Sequence, residues 1–172
     1  CTRKDLRNAA EAAAKAGPGW AKRTPYNRGQ IIYRLAEMIE ARKADMADAL
    51  MIGGVSKSAA AKEITATIDR LIYYAGWADK YEQVLGNVNP VASPHFNFTV
   101  TEPMGIVGLL APEEAPLLAL VSLVASVVLS GNSAVVLASE KFPLPALTFA
   151  EVLATSDLPG GVVNLLAGKR KE

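Results

Sequence analysis

Cysteine is nearly absent from this chain, which has Cys1 alone among 172 residues. No disulfide can therefore form within the chain, and its interior has no thiol that could act as a nucleophile. Thiols stay reduced in the cytosol, where structural disulfides are rare. The cysteine content therefore predicts a cytoplasmic protein.

An excess of charge of either sign is also missing. Lysine and arginine total 18, aspartate and glutamate total 17, and the formal net charge is +1. Nucleic acids and anionic membrane surfaces attract proteins with a clustered positive excess. We therefore expect neither a nucleic acid nor a membrane as a partner.

Long hydrophobic runs are lacking too. The longest, "LLALVSLVASVVL" at residues 117–129, falls well short of the roughly 20 residues that span a bilayer, and it predicts a buried helix. The start shows no basic segment followed by an apolar one, so we expect no signal peptide. Because the first residue is cysteine rather than methionine, we expect the natural N-terminus to precede it.

Residues 1–86 have a helical pattern. "DLRNAAEAAAKA" is rich in alanine, and after "GPGWAKRTPYNRG" the residues from Ile31 to Leu50 place apolar side chains at helical spacing. Gly53-Gly54 ends that segment, and a third helix is predicted from about Ser58 to Lys80. We predict an antiparallel layer of helices, with the aromatic group "YYAGW" packed in its core.

Residues 87–104 form a turn-rich connector that leads into a strand. Phe96, Phe98 and Val100 alternate with polar neighbours, which predicts one dry face and one wet face. His95 precedes the strand, and no cysteine, serine or acid motif pairs with it. We therefore interpret this histidine as a surface or hydrogen-bonding residue rather than a base.

Residues 105–172 alternate between strands and helices. The strands are "GIVGLLAP", "SAVVLAS" and "GVVNLLAG", and the predicted helices run from Glu113 to Leu129 and from Leu144 to Ala154. Continuous apolar runs between helices are typical of parallel strands covered on both faces. The fold class is α/β: a helical layer followed by half of a Rossmann-like doubly wound parallel sheet. Since the sequence stops soon after the third strand, either it is a fragment or something else completes the sheet.

Ligands of such sheets bind beyond the carboxyl ends of the strands, here the loops at 111–115, 138–142 and from 168 onward. The fingerprints G-x-G-x-x-G and G-x-x-x-x-G-K-[ST] are both absent, so any dinucleotide binds without the usual glycine cradle. Glu140 follows the second strand. Its carboxylate either accepts hydrogen bonds from the hydroxyls of an adenosine ribose or simply precedes a helix. In the first case its negative charge would repel a 2′-phosphate.

Glu113 and Glu114 lie between two prolines at the start of the predicted helix. The helix dipole stabilises acids in a first turn by about 0.3 to 1 kcal/mol each, which accounts for both residues. A carboxylate pair for acid–base catalysis is the alternative, although adjacent helical residues point in different directions. Two acids would also repel a phosphate at this turn.

Several phrases together give the chain a resemblance to the first part of the aldehyde dehydrogenase superfamily. They are "YNRGQIIYRLAEMIEARKADMA", "IDRLIYYAGWADK", "FNFTVTEPMGIVGLLAPEEAPLLAL", "GNSAVVLASEKFPLPALTFAEVL" and "LPGGVVNLLAG". The resemblance implies NAD(P)-dependent oxidation of an aldehyde to an acid, in which a cysteine thiolate attacks the aldehyde and a glutamate activates water. Both of those residues lie beyond residue 172 in such chains, so it implies no catalytic residue here and no metal.

Two departures from the family pattern stand at the implied cofactor site. The family's P-W-N-F-P reads Pro112-Glu113-Glu114-Ala115-Pro116, which puts Glu114 at the oxyanion asparagine, and its K-P-S-E reads Leu137-Ala138-Ser139-Glu140. The implied cofactor-binding residues are Ala111, Pro112, Glu113, Leu137, Ser139 and Glu140. The chain is thus similar to divergent members, including the degenerate second copy of tandem aldehyde dehydrogenases, and we expect both acids to cap a helix at a former oxyanion site.

These features lead to one expectation and one alternative. We expect the N-terminal portion of an aldehyde dehydrogenase-like oxidoreductase with weakened cofactor and oxyanion sites, which uses NAD if it binds a cofactor. The alternative is a non-catalytic pseudoenzyme or oligomerisation scaffold with the same fold. In either case we expect a homo-oligomer formed through Phe96–Thr101, and a division into 1–86, 87–104 and 105–172.

Overall fold

The computed structural model describes residues 1–169. Residues 170–172, the last three residues of the loop predicted from residue 168 onward, lie outside the described part of the chain. The helices are α1 (Arg3–Ala21), α2 (Pro25–Ala41), α3 (Lys43–Ile52), α4 (Lys57–Trp77), α5 (Tyr81–Leu85), α6 (Pro116–Leu129) and α7 (Pro143–Thr155). The strands are β1 (Asn87–Asn89), β2 (Asn97–Thr99), β3 (Ile106–Leu110), β4 (Ser133–Leu137) and β5 (Val163–Leu166).

The predicted parallel sheet is confirmed. Its order is β3-β4-β5, and both strand pairs are parallel. Helix α1 packs on one face, α6 and α7 pack on the other, and α2, α3 and α4 form a further layer over α6 and α7. The helical half of the sequence therefore contributes to both sides of the sheet.

Strand β4 is central and explains why α1 is rich in alanine. Its Val135 packs against Ala9 and Ala13 of α1, while Ala134 and Val136 belong to the main core on the opposite face. Small α1 side chains let the helix backbone approach the sheet. The side chain of Ser133, the first β4 residue, accordingly donates to the Ala13 carbonyl at 3.3 Å.

Helix α1 continues beyond the point where the sequence suggested a break. It runs through Gly17-Pro18-Gly19 and ends only at Ala21. Trp20 in its last turn is fully buried, and its indole Nε1 donates to the Val128 carbonyl at 2.9 Å. Burial of so large a side chain outweighs the weak helix propensity of glycine and proline.

The segment from Ile31 to Leu50 is two helices rather than one. Arg42 interrupts it with φ −111° and ψ 27°. The Arg42 guanidinium binds Asp45 at 3.1 Å and Glu151 of α7 at 2.7 Å. The break redirects α3 so that it packs on α7.

The connector forms an antiparallel hairpin of β1 and β2. The prediction of a dry strand face is wrong within the described chain, because the side chains of Phe96, Phe98 and Val100 are all exposed. No element between residues 1 and 169 covers them. His95 is exposed as expected, but a serine does pair with it, contrary to the expectation from sequence: its Nδ1 lies 2.8 Å from the Ser93 hydroxyl.

The "YYAGW" group is only partly in the core. Tyr74 and Trp77 pack against the main core, whereas Tyr73 is exposed. Across residues 1–169, no helix is both long enough and apolar enough to cross a membrane.

Candidate functional site

The carboxyl ends of the three parallel strands lie side by side. The amide of Ala111 donates to the Leu137 carbonyl at 2.9 Å, and the amide of Ala138 donates to the Leu166 carbonyl at 2.8 Å. These hydrogen bonds extend the ladder just past the strands. The loops at 111–115 and 138–142 therefore leave the same edge, which is the ligand-binding edge of doubly wound sheets.

The loop at 111–115 turns sharply between β3 and α6. Ala111 is buried at its base, and Ala115 has φ 45° and ψ 62°. Ala115 is the one non-glycine residue with positive φ among residues 1–169. Left-handed backbone at an alanine costs of order 1–3 kcal/mol and persists where the surroundings enforce it, often at functional sites.

Glu113 and Glu114 do not cap α6, which corrects the expectation from sequence. The helix begins at Pro116, and its N-cap residue Ala115 makes no side-chain capping bond. The left-handed turn at Ala115 separates both acids from the helix. The α6 amides of Leu117 and Leu118 instead donate to Oε1 of Glu63, on α4, at 2.8 and 3.2 Å.

Glu113 joins the two loops. Its Oε2 accepts from Nζ of Lys141 at 2.6 Å, and the hydrogen bond and charge of Glu113 raise the pKa of Lys141. Glu114 is exposed. The two adjacent acids thus have different surroundings, and only one of them bridges the loops after β3 and β4.

The last residue of β4 and the loop after it hold three of the implied cofactor-binding residues, Leu137, Ser139 and Glu140. Ser139 is buried, and its Oγ accepts from the Phe142 amide at 3.2 Å, which shapes the turn into α7. Glu140 is exposed on the rim, and Leu137 is half-buried. By strand alternation Leu137 lies on the α1 face of the sheet, together with Ser133 and Val135.

The arrangement offers hydrogen-bond acceptors rather than a catalytic centre. Carboxylates of Glu113, Glu114 and Glu140 lie on the two loops, and Lys141 supplies a cation between them. Within residues 1–169 no group of three metal-binding side chains occurs. The described edge is thus suited to binding a polyhydroxyl ligand such as a ribose.

Two contributors were missed in the sequence analysis, Glu63 and Lys141. Lys141 directly follows Glu140, but nothing local links it to an acid 28 positions earlier. Glu63 stands next to Ile64, on the border of the apolar stripe of α4. An acid bordering a buried stripe is the one signal that could have drawn attention to it.

The whole sequence is similar to known aldehyde dehydrogenases. The model of the "Aldehyde dehydrogenase family" matches residues 1–172. A cytosolic aldehyde dehydrogenase of Elephantulus edwardii is 34% identical over 96% of this chain and 34% of its own length. Human cytosolic 10-formyltetrahydrofolate dehydrogenase is 36% identical over 87% of this chain and 17% of its own length.

Solved structures give the same result. Betaine aldehyde dehydrogenase from Staphylococcus aureus, in complex with NAD+, has a TM-score of 0.92 at 26% identity, over 99% of this chain and 34% of that one. An aldehyde dehydrogenase from Bacillus cereus, also in an NAD+ complex, has a TM-score of 0.92 at 31% identity, over 98% of this chain and 35% of that one. The chain thus spans about a third of these proteins.

Proposed function

This chain belongs to the aldehyde dehydrogenase family, and from that premise we propose that it forms the N-terminal portion of an NAD-dependent oxidoreductase that converts an aldehyde to an acid. The observation that carries the proposal is the carboxyl edge of the parallel sheet, where the Glu113–Lys141 contact joins the two loops. The NAD+ complexes of two similar structures support it. A cytoplasmic setting is part of the proposal, supported by relatives named as cytosolic.

The residues at this edge fit a dinucleotide, although incompletely. NAD, when bound, accepts a hydride from the substrate. The exposed Glu140 carboxylate can accept hydrogen bonds from both ribose hydroxyls, whereas Leu137 offers no cation where the resembling family has lysine. The residues that would line the site are Ala111, Pro112, Glu113, Leu137, Ser139 and Glu140.

The oxyanion site is weakened in this proposal. Glu114, at the position of the family's asparagine, is exposed beside the left-handed Ala115. An ionised carboxylate has no hydrogen to donate, and losing one such donor typically lowers a rate by about 100 to 1,000-fold. The cysteine and glutamate implied by the resemblance lie outside this chain, so no catalytic residue is assigned within it.

Cofactor titration of the purified protein tests the dinucleotide site. We expect NAD to bind more tightly than NADP, because the Glu140 charge repels a 2′-phosphate. The Glu140→Gln variant should narrow that preference, while Glu82→Gln, an exposed acid on α5, should leave it unchanged. Equal affinities of the wild type for NAD and NADP would count against a role of Glu140 in binding the ribose. No binding at millimolar cofactor would contradict the proposal of an enzyme.

Returning positions 114 and 137 to the residues of the family pattern tests whether the oxyanion and cofactor sites are weakened. We expect Glu114→Asn combined with Leu137→Lys to raise aldehyde oxidation by at least about tenfold, since each change returns a donor. The matched control is Glu37→Asn with Leu85→Lys, the same changes at exposed positions on α2 and α5. An unchanged rate in the restored variant would mean that these positions do not limit the reaction.

A pseudoenzyme or oligomerisation scaffold is the second candidate. It is favoured by the exposed apolar side chains of Phe96, Phe98 and Val100, which offer a surface for a homo-oligomer through Phe96–Thr101. A protein that assembles but binds neither NAD nor NADH would support the scaffold. A monomer that binds NAD would contradict it.

A further inference from the structure

Helix α6, which follows the loop at 111–115, is held at both ends by side chains of the helical layer. At its start, Oε1 of Glu63 accepts from the amides of Leu117 and Leu118 at 2.8 and 3.2 Å. At its end, Nε of Arg28 donates to the Leu129 carbonyl at 2.8 Å.

The two charges match the electrostatics of the helix. A helix has partial positive charge at its N-terminus and partial negative charge at its C-terminus, and each is stabilised by the opposite charge. Because Pro116 has no N–H, the start of α6 leaves three amides without an internal partner, and Glu63 satisfies two of them. Because Ala115 provides no capping bond, the first turn of α6 depends on a residue 54 positions earlier.

Arg28 makes its end of this arrangement rigid. The side chain is buried, and Nη1 donates to the Arg23 carbonyl at 2.6 Å while Nη2 donates to the Tyr81 hydroxyl at 3.2 Å. A planar guanidinium with this many fixed acceptors has one orientation. With both ends attached to the same layer, α6 cannot slide along its axis without breaking a charged contact.

We propose that Glu63 is a positioning residue that holds the loop at 111–115 in shape through the first turn of α6; its relevance to catalysis rests on the proposed function. The strained Ala115 directly precedes Pro116. A strained residue relaxes when its surroundings no longer enforce it. Loss of the Glu63 contact frees the first turn, lets Ala115 leave the left-handed region and displaces the loop at 111–115, whose Ala111, Pro112 and Glu113 would line the cofactor site.

Hydrogen exchange measured by mass spectrometry tests the contact in the purified protein. We expect Glu63→Ala to raise exchange about tenfold or more both at Leu117 and Leu118 and at the loop amides of residues 113–115. Glu63→Gln keeps an acceptor oxygen without the charge, so it should have a smaller effect. Asp69→Asn, an exposed carboxylate on the same helix, is the matched control. Faster exchange at α6 alone, with a protected loop, would overturn the proposal.

Steady-state kinetics give the second readout. A displaced loop should lower kcat of Glu63→Ala about tenfold to a hundredfold while KM changes much less, with Glu63→Gln recovering most of the rate. A purely structural role would lower the melting temperature and leave kcat per folded molecule unchanged, which would overturn the positioning role. These kinetics need the protein that includes the downstream cysteine and glutamate. If that wild-type protein oxidises no aldehyde, the proposed function fails, whereas hydrogen exchange still decides whether Glu63 holds the loop.

Discussion

Helix α6 and the β1–β2 hairpin both carry apolar side chains, yet only α6 buries them. The buried α6 residues are Pro116, Leu117, Leu120, Val121, Val124, Ala125, Val128 and Leu129. In the hairpin strand β2, every residue is exposed, and Phe98 keeps 59% of its accessible surface. The sheet, α2, α4 and α7 all pack on α6, but nothing within residues 1–169 packs on the aromatic side of the hairpin.

The difference shows what an apolar pattern can and cannot predict. Hydrophobic burial is non-directional, so an apolar pattern identifies which face of an element tends to be buried without identifying what packs against it. For α6 the packing partners belong to the same chain, namely the sheet, α2, α4 and α7. For the hairpin, nothing within residues 1–169 buries the aromatic side chains, and the expectation of oligomerisation through Phe96–Thr101 remains a prediction.

Truncating the aromatic residue of α1 that binds α6, and one aromatic residue of the hairpin, should give the largest contrast. Trp20→Ala removes the fully buried indole that contacts the end of α6, and we expect it to lower the free energy of unfolding by about 3–5 kcal/mol. Phe98→Ala in dilute protein should change it by less than about 0.5 kcal/mol, as surface substitutions usually do. Urea denaturation measures both, and similar losses would contradict the contrast.

A charge placed in the hairpin should weaken assembly without weakening the fold. We expect Phe98→Lys to raise the dissociation constant of the oligomer about tenfold or more, equivalent to about 1.4 kcal/mol, because a lysine would be buried against an apolar partner surface. Light scattering over a dilution series measures the mass. Tyr73→Lys, an exposed aromatic on α4, should keep the wild-type mass, and an unchanged mass in both variants would argue against this interface.

The fold was predictable where neighbouring residues determine it. The strands of the sheet and the helix at 143–155 follow from continuous apolar runs and helical spacing. The errors arose where distant contacts decide. Trp20 carries α1 through Pro18 because it binds near the end of α6, and Glu63 takes the capping role expected of Glu113 and Glu114.

The candidate site was predictable to the same extent. Its loops follow from a topological rule, namely that ligands bind at the carboxyl ends of parallel strands. The contact between Glu113 and Lys141 was not predictable, since it depends on how two loops meet in space. The roles of Ser139 and Glu140 in binding a cofactor, like the three-part division of the chain, remain predictions.

The smallest expected difference between the two regions is in the pH dependence of stability. It should appear only at the C-terminal end of α6, where Arg28 binds both Leu129 and Tyr81. Burial raises the pKa of Tyr81 above the ordinary value of a tyrosine, opposed by the charge of Arg28 and assisted by that of Glu82. A group with a raised folded pKa contributes stability below its unfolded pKa, and that stability is lost as the pH rises through the folded value. The stability difference between wild type and Tyr81→Phe should therefore shrink as the pH rises above about 10.

Urea midpoints at about pH 8 and about pH 11 measure this difference in stability, with Tyr26→Phe as a control for losing an exposed hydroxyl. A difference that stays constant with pH would show that burial of the Tyr81 hydroxyl does not disfavour its ionisation.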